Sequence, residues 1–142
     1  MHMRSLLGVI VTIAVLASGA TASARSIKVT DVVHLHRTGA SGSLFYEAGT
    51  ATGTLPGTVK GRFNVGSRVS FAFTLYTHGG SIKVTGIGRP LSFGVRSKFR
   101  GSLRVAGGTG RYAHASGRGS FSGVMNRNTG SVTANVTGVL SY

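Results

Sequence analysis

The strongest constraint in this sequence is a two-residue alternation of apolar and polar side chains. From Val69 to Tyr76 the odd positions hold Val69, Phe71, Phe73 and Leu75, with Ser70, Ala72 and Thr74 between them. Successive side chains of an extended strand point to opposite faces, so such a run buries one face and leaves the other in solvent. Ile27, Val29, Val33 and Leu35 repeat the pattern around Asp31, and Val59, Phe63 and Val65 repeat it around Gly61. Phe99, Leu103 and Val105 do so around Gly101, and Val132, Ala134, Val136, Leu140 and Tyr142 around Gly138. After residue 24 there is no 3.6-residue apolar period and no capping box, so helices find no local support.

Turn-forming residues separate the runs: Gly39 to Gly42, Pro56-Gly57, Gly66-Ser67, His78-Gly79-Gly80, Arg89-Pro90, Gly107 to Gly110, and Asn126 to Gly130. Their recurrence about every 8–12 residues is the spacing of a sandwich or barrel. Strands are predicted at 27–36, 44–54, 58–65, 69–76, 82–87, 93–105, 117–125 and 131–141. Eight antiparallel strands can close on themselves and abolish exposed edges. Glycines on the strand faces (Gly61, Gly86, Gly101, Gly123, Gly138) suit tight coiling. The expectation is an all-β chain forming an eight-stranded antiparallel β-barrel, with an open sandwich as the alternative.

Residues 1–24 read as an export signal. Arg4 supplies a positive start, Leu6 to Ala17 an apolar stretch, and Ala22-Ser23-Ala24 a small-x-small cleavage site. The apolar stretch is about a dozen residues, whereas a membrane-spanning helix needs about 20. Cleavage after Ala24 would leave a β domain of residues 25–142 outside the cell, secreted and soluble or surface-associated.

Composition excludes several chemistries. With only 2 acidic side chains, Asp31 and Glu47, multi-carboxylate metal sites and most paired-carboxylate designs are out of reach. The absence of cysteine removes disulfides, thiol nucleophiles and thiolate zinc sites. Hydrophobic residues make up 41%, too many for a disordered basic tail. The 16 Lys and Arg give a formal charge of +14, or +13 once Arg4 leaves with the signal.

Residues 107–119, GGTGRYAHASGRG, resemble the GGTGRF-A-GA-x-G segment of the allene oxide cyclase and dirigent superfamily, in particular its secreted bacterial barrel-like branch. Ser120-Phe121-Ser122-Gly123 and Val136-Thr137-Gly138-Val139-Leu140 are similar to that family's last two strands. The resemblance spans about residues 45–142 and is strongest at the C-terminal end. It implies an eight-stranded antiparallel barrel and, by analogy with the plant members, a homo-oligomer. It does not carry activity with it. The plant enzymes use a pocket with several polar and acidic groups and a cysteine, for which this chain offers only Asp31 and Glu47 and no thiol.

Several constellations bear on function. The glycine run 107–110 lacks the G-x-x-x-x-G-K-[ST] pattern and a following helix, so it reads as a tight turn rather than a phosphate cradle. His34 and His36 share a strand face and His78 and His114 lie elsewhere, but no third-ligand spacing points to a metal. Asp31 and His34 point to opposite faces, and no G-x-S-x-G elbow exists, so a hydrolytic triad is not assembled. No catalytic residue and no cofactor are assigned. Asp31 interrupts an apolar face and is expected inside the barrel, where a carboxylate needs a partner such as Arg or Tyr.

The clearest pattern is electrostatic. Arg96, Lys98, Arg100 and Arg104 occupy even positions opposite Phe99, Leu103 and Val105, and so form an outward basic stripe. Lys60 and Arg62 sit outward similarly on another strand. Soluble surfaces ordinarily mix both charge signs. This imbalance points to anion-binding partners, either anionic cell-surface polymers or lipid head groups. Aromatic interleaving is too sparse for specific nucleic-acid recognition. Three function classes follow: a noncatalytic secreted barrel, either structural or binding anionic surface polymers; a binder of a small apolar ligand inside the barrel; and a cyclase or isomerase. A filled interior would disfavour the second and third together.

Overall fold

A computed structural model describes residues 25–142. The expected signal and its cleavage site, apart from Arg25, lie outside the described residues. The domain is eight strands and no helix: β1 (Ser26–Ser41), β2 (Leu44–Gly53), β3 (Gly57–Val65), β4 (Val69–Thr77), β5 (Gly80–Pro90), β6 (Arg96–Gly110), β7 (Ser116–Asn126) and β8 (Val132–Ser141). Each strand pairs antiparallel with its chain neighbours, and β8 closes on β1, giving a barrel rather than a sandwich. All eight strands therefore have both edges paired, which removes the open ladder of an edge strand.

The alternation holds in three dimensions. Along β6, Phe99, Gly101, Leu103 and Val105 are part-buried while Arg96, Lys98, Arg100, Ser102 and Arg104 are exposed. Strand limits differ from expectation where glycine was read as a turn. Gly107 to Gly110 continue β6 and pair with Gly80 to Lys83, with a register shift at Lys83/Val84. Gly107 and Gly110 have φ of 141° and 59°, so two of the three glycines do use glycine's freedom, but within a strand end. The turn falls one step later, at Arg111–His114, closed by Tyr112 N–H donating to Thr109 O at 3.1 Å and Ala115 N–H to Tyr112 O at 3.0 Å. β1 likewise runs on to Ser41 and β5 to Pro90. Tilted strands of a closed barrel must be long, and their staggered ends consume residues that would otherwise turn.

The interior divides into two apolar clusters. One joins Leu35, Ala51, Val59, Phe63, Val132 and Ala134 with the part-buried Phe71, Phe73 and Phe99. The other joins Ile82, Tyr112, Ala115 and Leu140 with Ile27, Val29, Leu55, Val84, Val105 and Tyr142. Phe63, Phe71, Phe73 and Phe121 form a chain of edge and tilted contacts with centroids 4.9–6.1 Å apart, the favoured geometry for aromatic pairs. Inward glycines make room for these rings. A Cβ on Gly101 would lie 2.6 Å from Phe121 Cζ, and one on Gly123 would lie 2.8 Å from Phe99 Cζ.

Candidate functional site

Three places could carry function: the barrel cavity, the two carboxylates, and the basic outer wall.

The cavity has a volume of about 150 Å³ and is bordered by Val29, Leu55, Leu75, Val84, Val105 and Phe121 among others, with Asp31 the only acidic side chain at its wall. That volume is the scale of a space holding one benzene-sized molecule. Phenylalanine rings fill much of the interior beyond it, and a second space of about 320 Å³ lies among Phe45, Phe63, Phe71, Phe99 and Met125, bordered by Phe93 of the β5–β6 loop.

Asp31 points inward, 5% exposed. Its partner is neither Arg nor Tyr, contrary to expectation. Leu55 N–H donates to Asp31 Oδ1 at 2.9 Å, and Gly53, at φ 128°, leaves the space that a Cβ would take beside that oxygen. Thr30 N–H donates to Thr54 Oγ1 at 3.0 Å, and Thr54 N–H to Thr30 O at 3.2 Å, so Asp31 belongs to a hydrogen-bonded clasp over the β2–β3 turn. Burial raises its pKa, and the backbone donors of Leu55 and Thr54 oppose that rise.

Glu47 lies deeper still, 1% exposed, and sequence reasoning did not single it out. On β2 it shares parity with Phe45 and Ala51, both on the core side, and that parity was the available signal. Its Cα neighbours across the sheet are Arg37 on β1 and Gly61 on β3. Among the described residues neither carboxylate oxygen has a hydrogen-bond partner, and Arg37 Nε is likewise buried and unpartnered. Arg37 instead lays its guanidinium over the Phe45 ring, 4.3 Å from the centroid. Desolvation lifts the Glu47 pKa to about 7, and the positive charge of Arg37 only partly opposes it.

The outer wall is different in kind. Since Asp31 and Glu47 are the two acids of the chain and both are inside, the wall of the described residues carries no Asp or Glu. Arg96, Lys98, Arg100 and Arg104 form the outward row of β6, with Ser102 in the gap. At about 3.3 Å per residue the row is about 27 Å long. The register adds neighbours that sequence could not supply. Arg89 of β5 lies directly opposite Arg100, and Arg118 of β7 lies directly opposite Arg104. A shallow depression on this wall brings Arg68 to Arg89 and Arg100, with the hydroxyls of Ser102, Ser120, Ser122 and Thr137 along its floor. Its continuation along the wall includes Lys28, Arg104 and Arg118. Lys60 and Arg62 are exposed on β3, where another depression groups them with Lys83. His34 and His36 are exposed on β1, and the His34 imidazole Nδ1 lies 3.3 Å from Thr133 Oγ1.

Like charges set opposite one another across a sheet cost stability. Two arginine pairs in that relation, with hydroxyl donors beside them and no carboxylate near, form a surface suited to bridging anions. No protein-family model, no curated protein and no solved structure matches the chain.

Proposed function

We propose that this chain is an exported, noncatalytic β-barrel whose β5–β7 wall binds polyanions bearing closely spaced phosphate, sulfate or carboxylate groups. The observation that carries the reading is the pairing of Arg89 with Arg100 and of Arg104 with Arg118 in a wall without acidic side chains. An anion placed between two such guanidiniums turns a repulsive pair into two charge-assisted contacts, and arginine's planar fork suits oxyanions. The hydroxyl floor adds donors that hold their geometry without charge.

The small interior disfavours a cyclase or isomerase and leaves room for only the smallest apolar ligands. A cavity of about 150 Å³ limits any enclosed ligand to about the size of benzene, and its one acid is committed to the Leu55 backbone, which leaves a cyclase or isomerase without a free proton-transfer group. Kinship with the secreted allene oxide cyclase-like barrels is part of the proposal. It rests on the GGTGRYAHASG segment, which forms the β6 end, the β6–β7 turn and the first two residues of β7.

The test compares two quadruple variants that lose the same formal charge. One changes Arg96, Lys98, Arg100 and Arg104 to Gln; the other changes Arg25, Lys60, Arg62 and Arg111, which lie outside β5, β6 and β7. Retention on an anionic matrix should weaken far more in the first. Equal losses would mean that the protein is merely cationic, and the site would have to be abandoned.

A further inference from the structure

We propose that the β5–β6 loop, residues 91–95, is a membrane-docking tip that seats the basic wall on an anionic lipid bilayer. The inference rests on the polyanion reading above and names the source of the anions as lipid phosphates.

Three apolar side chains crowd this short loop and face solvent: Leu91 is 50% exposed, Phe93 73% and Val95 52%. They are not a loosely held excursion. Leu91 N–H donates to Lys98 O at 2.7 Å, and Lys98 N–H to Ser92 Oγ at 2.9 Å. Ser97 Oγ donates to Gly94 O at 2.8 Å, while Arg127 N–H donates to Val95 O at 2.8 Å and Arg127 Nε to Ser97 Oγ at 2.6 Å. The backbone is thus ordered before any partner arrives, and the side chains are displayed instead of folded inward. Around the tip stand the exposed bases Arg89, Arg96, Lys98 and Arg127, and Arg96 and Lys98 begin the β6 row.

An apolar tip within a cationic collar matches the layering of a bilayer, where phosphates lie just above an acyl phase. A soluble polyanion offers nothing to Leu91, Phe93 and Val95. Stable attachment to a membrane generally takes two signals, and this loop combines an apolar insert with a polybasic patch. Each base close to an anionic leaflet adds about fivefold to binding.

The experiment uses the full chain and three probes: vesicles of phosphatidylcholine, vesicles of phosphatidylcholine with phosphatidylglycerol, and long-chain inorganic polyphosphate. Every protein carries the same residues 1–24, so any contribution from them cancels between variants. The expected result is binding to the mixed vesicles and to polyphosphate. Leu91→Ser/Phe93→Ser/Val95→Ser should lower vesicle binding tenfold or more, about the loss expected for three partly inserted side chains, and leave polyphosphate binding unchanged. The four-Gln variant of the β6 row should lose both. The chain contains no Trp, so Phe93→Trp installs a single reporter. Its emission should shift to the blue, and be quenched by brominated acyl chains, on mixed vesicles but not on polyphosphate. Polyphosphate binding with loop-independent vesicle binding, or an unquenched indole on bound vesicles, would overturn the membrane proposal alone. A blue shift that follows protein concentration without lipid would also overturn it, marking the loop as a contact between copies. Failure to bind polyphosphate as well would overturn the underlying reading.

Discussion

Replacing Glu47 by Gln should stabilise the barrel at alkaline pH and leave it nearly unchanged in acid. The buried carboxyl has no hydrogen-bond donor among the described residues, and its pKa in the folded chain is raised from 4.5 to about 7. The folded state therefore holds this proton more tightly than the unfolded state. Stability that is fully present below pH 4.5 declines as pH rises through the interval up to about 7. At about 1.36 kcal/mol for each pH unit between the two values, the loss above pH 7 is about 3 kcal/mol. For a domain of this size that corresponds to about 10 °C in Tm. The assay is thermal unfolding followed by circular dichroism from pH 4 to 9 for wild type and Glu47→Gln. Histidine protonation and global repulsion act on both proteins, so the difference between their curves isolates Glu47. That difference should grow from near zero in acid to about 10 °C at pH 8.5. Curves separated by a constant offset would refute the buried, uncompensated carboxyl. Arg37→Gln, which removes the positive charge that opposes the rise of the Glu47 pKa, should carry the decline of that variant to higher pH than in the wild type.

Phe71→Ala should cost about 3–5 kcal/mol, because the ring meets Phe63, Phe73 and Phe121; denaturant melts read this directly. Asp31→Ala strands the Leu55 N–H and should cost about 1–3 kcal/mol in the same assay. Export predicts that protein recovered from the medium begins at Arg25, which intact mass measures; a secreted chain retaining Met1 would contradict the cleavage.

Period-two alternation was enough to place Phe71, Phe73 and Phe99 inside and the Arg96–Arg104 row outside, because the parity of a strand is local. Parity would also have put Glu47 beside Phe45 and Ala51, had it been applied to β2. What sequence could not show was register. The opposition of Arg89 to Arg100 and of Arg104 to Arg118 depends on which residues of two strands meet, and that is set by closure of the whole barrel. The glycine runs misled for the same reason. Gly107–Gly110 carries turn-like composition but is held extended by its pairing with Gly80–Lys83, leaving Arg111–His114 to reverse the chain. Asp31 was legible as inward, but its backbone partner was not, since the clasp joins residues 24 apart.

The polyanion-binding wall is tested most directly by the salt dependence of binding to a polyphosphate of defined length. Each neutralised phosphate releases condensed counterion, so four contacts from Arg96, Lys98, Arg100 and Arg104 should contribute about −3 to the slope of log affinity against log salt. The wild type should show at least that slope, the four-Gln variant of this row should lose about 3 from it, and the Arg25, Lys60, Arg62, Arg111 variant should keep it. The same reduction in both variants would contradict a site on the β5–β7 wall.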